Sequence, residues 1–332
     1  REWNGLVLDE AQAIKNDISK RAHAVKSFRA GFRVVATGTP VENRLTELWS
    51  IFDFLNPGLL GPSTTFAERL TTDDGMATEG LKRLVAPFIL RRQKASVLTD
   101  LPEKTEVTLP VELGDEERTA YEACRIRALE NLKGNEENRI SILAELTRLR
   151  RFCCHPSLVL PKFAKSAKLD ALRELLSDLR DGGHRALVFS QFTDYLAIVR
   201  KMLEKSGWTY QYLDGTTPIA ERGKAVDAFQ RGEGDFFLIS LKAGGTGLNL
   251  TAANYVVLLD PWWNPAVENQ AADRAHRIGQ KNPVTVYRLI AAKTVEERVL
   301  ELHAEKRRIA DDVLEGTSST RLTPEALMRL FT

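Results

Sequence analysis

From Ser166 onward the sequence alternates short apolar runs with longer amphipathic segments, and that rhythm limits the fold more than any other feature. Helical spacing over 167–180 leads through Gly182-Gly183 into the run Ala186-Leu187-Val188-Phe189. Segments 193–205 and 219–230 lead in turn to runs at 210–213 and 236–239, and runs at 255–259 and 284–289 flank a helical segment at 266–275. Continuously apolar runs of this length are buried on both faces, and strand-helix alternation predicts a parallel sheet with helices on either side. Ligands of such a sheet bind at the loops leaving the carboxyl ends of its strands.

The first hundred residues repeat the rhythm only in part. Gly5-Leu6-Val7-Leu8 and the run at 32–37 are buried-type strands, with helices expected at 19–28 and 45–55. Residues 63–100 are helical and irregular, with Thr71-Thr72-Asp73-Asp74-Gly75 as an exposed loop. Alternation at 105–113 predicts a strand crossing to the next domain, and 115–152 two long helices broken near Gly134-Asn135. Helices at 295–312 and 323–330 close the chain. The expected division is therefore 1–104, 105–165 as a linker strand with a helical insertion, 166–312, and a tail at 313–332; 332 residues are long for one core.

Lys+Arg 47 against Asp+Glu 45 leaves a formal charge of +2, so a nucleic-acid groove must be local. No apolar run is long enough to span a bilayer, and no membrane partner is expected. Cys124, Cys153 and Cys154 have neither the even count of a disulfide framework nor zinc-ligand spacing; buried thiols in a reducing compartment are expected.

Four short motifs follow strands, where such sheets bind ligands, and an arginine pair comes after them. Asp9-Glu10-Ala11-Gln12 follows the first strand. An acidic pair there suits a hard cation and a water beside a triphosphate, although Asp and Glu also cap helices. Thr37-Gly38-Thr39-Pro40 follows the second strand, with Asn43 behind it, a turn whose hydroxyls can take phosphate oxygens. Ser240-Leu241-Lys242-Ala243-Gly244-Gly245-Thr246-Gly247 offers glycine amides and a lysine to a phosphate, and Asp260-Pro261-Trp262-Trp263 ends the next strand. Arg274 and Arg277, at i and i+3, are expected on one helix face, where guanidinium groups fit a transferring phosphoryl group.

In order, these motifs resemble the SWI/SNF family of helicase-like ATPases. The resemblance covers residues 1 to about 312 and also rests on Leu90-Arg91-Arg92-Gln93-Lys94, Leu101-Pro102-Glu103-Lys104, Cys153-Cys154-His155-Pro156, Leu187-Val188-Phe189-Ser190-Gln191-Phe192-Thr193 and the block ending Arg277-Ile278-Gly279-Gln280. It implies an α/β fold of RecA-like P-loop NTPase lobes, the first incomplete and the second complete, with helical insertions at 63–90 and 115–155. It also implies duplex-DNA translocation and the remodelling of DNA-bound protein complexes, driven by ATP and Mg²⁺ and without strand separation. Asp9 would hold Mg²⁺, Glu10 would activate water, and Arg274 and Arg277 would reach the γ-phosphate. Gln270, Gly245 and Gly247 would contact the nucleotide, and Gln12 and Thr37 would couple its state to DNA. Thr39, Ser190, Gln191, Lys242, Gly244 and Trp263 would contact the DNA, mainly its backbone. The setting implied is the nucleoid-associated cytoplasm in a bacterium or the nucleus in a eukaryote.

One part of the family pattern is missing. Nothing in the 332 residues fits Gly-x-x-x-x-Gly-Lys-Ser/Thr; Gly223-Lys224-Ala225 lacks both the leading glycine and the hydroxyl. The expectation is a fragment of a longer motor, inactive by itself. The competing expectation is a non-catalytic DNA-binding or interaction module with a degenerate ATP site.

Overall fold

The five apolar runs behind residue 166 form one parallel sheet, and a sixth segment that the alternation did not include completes its edge. The computed structural model describes residues 2–37, 45–71, 80, 81, 83–90, 92, 98, 100–134, 137–244, 247–302 and 323–331. Two compact units divide the chain: Arg1–Arg92 with Ala304–Arg321, and Gln93–His303 with Leu322–Thr332.

In the first unit, β1 (Glu2–Leu8) and β2 (Arg29–Val35) pair in parallel, from Glu2 opposite Arg29 to Leu8 opposite Val35. The crossover carries α1 (Lys20–Lys26), whose cap Ser19 accepts a hydrogen bond from the Ala22 amide at 3.1 Å. Alternation then divides the sheet. Leu6, Leu8 and Val35 pack with Ile14, Ala22 and Phe54 on one face, which α2 (Leu45–Leu55) helps to close. On the other face Trp3, Val7, Phe32 and Val34 are 46–65% exposed. The Phe32 ring lies over Gly5, so a Cβ there would come within 2.2 Å of the tip of that exposed ring and would push it aside. Beyond α2, helix α3 (Ser63–Thr71) contributes to a small core of Leu48, Phe52, Leu60, Phe66 and Val85.

The second unit holds β3 (Lys104–Val111), β4 (Ala186–Ser190), β5 (Tyr210–Leu213), β6 (Phe236–Ser240), β7 (Tyr255–Leu258) and β8 (Val284–Ala291) in the order β3-β8-β7-β4-β6-β5. Every neighbouring pair is parallel. Central β4 and β6 are buried at every residue, and their side chains alternate between two cores. Leu187, Phe189, Phe237 and Ile239 face one, and Ala186, Val188, Phe236 and Leu238 face the other. The strand expected to cross between domains is β3, and it belongs to this sheet. Its eight residues pair with β8 from Lys104–Val284 to Val111–Ala291, because a segment free to reach an open sheet edge satisfies its backbone there.

Helices α4 (Asp115–Leu132) and α5 (Arg139–Cys154) form the expected insertion. Next come α6 (Ala167–Asp181), α7 (Thr193–Lys205), α8 (Ile219–Gln230), the short α9 (Leu241–Gly244) and α10 (Pro265–Ala272). The tail helix α11 (Pro324–Met328) packs Leu327, Leu330 and Phe331 onto the insertion beside Tyr121, Leu146 and Phe152. All three cysteines are buried, and burial pushes the thiols of Cys153 and Cys154 up, out of the reactive range. No described helix is long and apolar enough to cross a membrane.

Candidate nucleotide and DNA contacts

In the first unit, β1 delivers Asp9 and Glu10 to its carboxyl end. The ladder continues past the strands, with the Ala36 amide on the Leu8 carbonyl at 2.7 Å and the Ala11 amide on the Ala36 carbonyl at 3.3 Å. Glu10 takes up left-handed backbone, φ 51 and ψ 50, and the Asp9 carboxylate accepts its amide at 2.8 Å. Non-glycine residues in that region are uncommon and gather at functional sites.

Glu10 precedes a 3₁₀ turn, Ala11–Ile14, but its side chain caps nothing there. Its carboxylate accepts the Gln12 amide at 2.5 Å, and the Gln12 carbonyl oxygen accepts the Thr37 hydroxyl at 2.9 Å. Gln12 thus joins the exposed acidic pair to the start of the loop after β2. Thr39 lies outside the described residues.

No described cluster of three or more His, Cys, Asp or Glu side chains could hold a metal ion. Two exposed carboxylates fit Mg²⁺ all the same, because that ion keeps several waters and is commonly bound through one or two carboxylates plus substrate phosphates.

In the second unit, the carboxyl ends of β4 and β7 meet at Asp260. This carboxylate is 1% exposed, accepts the Ser190 hydroxyl and takes the Gln191 amide at 3.3 Å on each oxygen. Ser190 accepts the Phe192 amide at 3.0 Å. Ser190, expected on a DNA surface, is therefore enclosed and shapes the loop instead, while Gln191 is half-buried beside it. Burial raises the Asp260 pKa, and the Arg150 charge and the Ser190 hydrogen bond oppose the rise.

Arg150 of α5 is also 1% exposed. It donates to the Pro261 carbonyl, stands 3.9 Å from Asp260, and lies 5.7 Å and 4.7 Å from the ring centres of Phe192 and Trp263. The tandem tryptophans divide. Trp262 packs on the sheet core, with its amide on buried Glu268 at 2.7 Å, whereas Trp263 packs on the insertion core. One residue before Asp260, the Leu259 carbonyl accepts Lys168 at 2.8 Å, and Lys168 also pairs with Glu296 at 2.5 Å, both fully buried. Sequence spacing marked none of Arg150, Lys168, Glu268 or Glu296, and it marked Asp260 only as the start of the motif that ends a strand. The available signals were a carboxylate closing an apolar strand and an arginine inside an apolar helix stripe.

The two arginines do not share a helix face. Helix α10 ends at Ala272 with Asp273 as its cap, and the chain leaves it in turns. Arg274 is 6% exposed, whereas Arg277 is exposed and donates to the Leu248 carbonyl at 3.1 Å. Gln280 redirects the backbone. Its buried amide nitrogen donates to the carbonyls of Thr251, Ala253 and Ala275 at 3.1, 2.8 and 3.0 Å, and its oxygen accepts the amides of Lys281 and Asn282 at 2.9 Å. With the Leu250 amide on the Arg274 carbonyl at 3.0 Å, the arginine loop and the end of the glycine loop are joined at four points.

Gln270 is half-buried on α10, and Lys242 is exposed on α9, which ends at Gly244. Gly245 lies outside the described residues. Gly247 has φ 49 with open space around it, so the turn itself asks for glycine.

An all-parallel sheet covered on both faces, with polar and glycine-rich loops gathered at its carboxyl edge, defines a RecA-like lobe. Residues 1–158 match the SNF2-related domain, and residues 167–279 match the helicase conserved C-terminal domain. The Sulfolobus solfataricus SWI2/SNF2 ATPase core in complex with dsDNA is 36% identical, with a TM-score of 0.57; the match covers 99% of this chain and 73% of that one. The chain belongs to the SWI2/SNF2 family. An uncharacterized ATP-dependent helicase of Mycoplasma pneumoniae is 40% identical over 338 residues, all of this chain and 33% of its own. The mouse SWI/SNF-related matrix-associated actin-dependent regulator of chromatin subfamily A member 1 is 36% identical over 353 residues, 99% of this chain and 34% of its own. The chain thus spans about a third of the length of these curated relatives.

Proposed function

We propose that this chain is part of an ATP-driven translocase on double-stranded DNA that remodels DNA-bound protein complexes. Asp9 with Mg²⁺, Glu10 and Arg277 serve as its groups for phosphoryl transfer. The observation that carries the reading is the hydrogen-bonded relay from Glu10 through Gln12 to Thr37. It ties a carboxylate suited to orienting water to the loop after the second strand, which includes Thr39, so hydrolysis and DNA contact can sense one another. Mg²⁺, when bound with the nucleotide, neutralises charge on the transferring phosphate.

Arg277 is exposed and anchored, and we assign it the γ-phosphate; Arg274, enclosed, supports the loop. Gln270 and the glycines Gly245 and Gly247 are assigned to the nucleotide. Lys242, Gly244, Gln191 and Trp263 are assigned to the DNA backbone. Because the 332 residues hold no Gly-x-x-x-x-Gly-Lys-Ser/Thr loop, turnover is assigned to a chain that also supplies one, and the 332 residues alone are expected to be inactive.

In such a chain, Glu10→Gln should keep ATP binding and lower DNA-stimulated hydrolysis by about 10²–10⁴-fold, since an amide keeps the Gln12 contact but cannot accept a proton. Steady-state hydrolysis at the parental rate would remove Glu10 from this role.

A further inference from the structure

The helical insertion carries no recognisable motif chemistry of its own, yet one of its side chains reaches the centre of the loop cluster. We infer that Arg150 is a positioning residue that holds the loops 190–192 and 261–263 in their duplex-DNA-binding conformation, which makes the insertion part of the DNA-binding apparatus; this rests on the translocase reading above.

Four observations carry it. Arg150 donates to the Pro261 carbonyl, which sets the backbone just before the tryptophans. It stands beside Asp260, the carboxylate that holds the Ser190 hydroxyl and the Gln191 amide, so one guanidinium touches the anchors of both loops. Its guanidinium carbon lies within cation–π range of Phe192 from one loop and Trp263 from the other. Finally, its Nε is buried without a hydrogen-bond partner. A buried guanidinium that is incompletely bonded and 3.9 Å from its carboxylate is a poor stabiliser compared with an apolar side chain of equal size. Its geometric value lies in bridging two loops at once, which no aliphatic group can do.

The test uses the full 332-residue chain. Without DNA, Arg150→Met should speed hydrogen exchange at the Gln191 and Phe192 amides by about tenfold or more, while the β6 amides stay protected. Arg150→Lys keeps a charge beside Asp260 but no planar group between the rings, so it should restore part of that protection. If the Met variant does not fold, the Lys variant decides alone. With a short mixed-sequence duplex at low salt, Kd should rise about tenfold in the Met variant and less in the Lys variant. Unchanged exchange at 191 and 192 in a folded variant overturns the inference. Faster exchange with unchanged duplex affinity also overturns it, because the loops would then be held for something else. A parent chain that binds no duplex defeats the translocase reading instead, and the exchange measurement still decides whether Arg150 holds the loops.

Discussion

The two units treat the same strand chemistry in opposite ways. In the six-stranded sheet, β4 and β6 are buried at every position, between two cores, and the polar groups at its carboxyl edge answer one another. In the two-stranded sheet only one face is covered, and Trp3, Val7, Phe32 and Val34 of the other remain 46–65% exposed. Burial, and not sequence apolarity, decides what a residue contributes. The same residue types are core in one unit and surface in the other, so stability should concentrate in the second unit. The groups proposed for phosphoryl transfer are exposed, the acidic pair in the first unit and Arg277 in the second.

The largest expected effect tests that shared chemistry. In a chain that also supplies the phosphate loop, Arg277→Lys should slow DNA-stimulated hydrolysis by about 10³-fold, since an ammonium lacks the guanidinium fork. The exposed position of Arg277 means that the thermal midpoint should hardly move. Parental turnover would remove Arg277 from the role proposed for it.

Stability sharpens the contrast next. Lys168→Met leaves Glu296 charged and unpaired in the core and should cost about 3–5 kcal/mol in urea unfolding. Phe32→Ser, on the open face of the first sheet, should stay within about 0.5 kcal/mol. Comparable losses in the two variants would erase the difference between the units.

Acid titration gives a smaller effect, confined to the second unit. Burial alone would raise the pKa of Glu106, but the Lys104 hydrogen bond and the Arg288 charge outweigh it and hold the group at about 2. A carboxylate depressed in the folded state adds stability that is present above its ordinary range near 4.5 and is lost as pH falls toward about 2. Glu106→Gln should flatten the fall in unfolding midpoint across that window. An equally steep fall in the variant would place the acid sensitivity elsewhere.

The smallest effect concerns one lysine. Lys242→Ala should lower the salt dependence of duplex binding by about one phosphate contact, roughly alike for all sequences. A change confined to one DNA sequence would replace backbone contact with base reading.

Much of this was legible in the residues because it is local. Segments 193–205, 210–213, 219–230 and 45–55 are elements with those same limits in the structure, since helix and strand periods are written in neighbouring side chains. Local pattern misled at 266–275: the helix period runs on through Arg274, but Gln280, bonded to Thr251 and Ala253, pulls the chain into turns after Ala272.

The sequence by itself determined the parallel α/β architecture, the order of the motifs and, through them, the family. Tertiary structure alone decided that residues 104–111 close the sheet edge beside β8, that Arg274 is enclosed while Arg277 is presented, and that Ser190 serves Asp260. It also brought an insertion arginine to the loops. Those outcomes depend on partners 70 residues apart for Ser190 and Asp260, and 111 apart for Arg150 and Pro261. Side-chain periodicity records which face of an element is apolar, but a buried polar group finds its partner only when distant elements have packed.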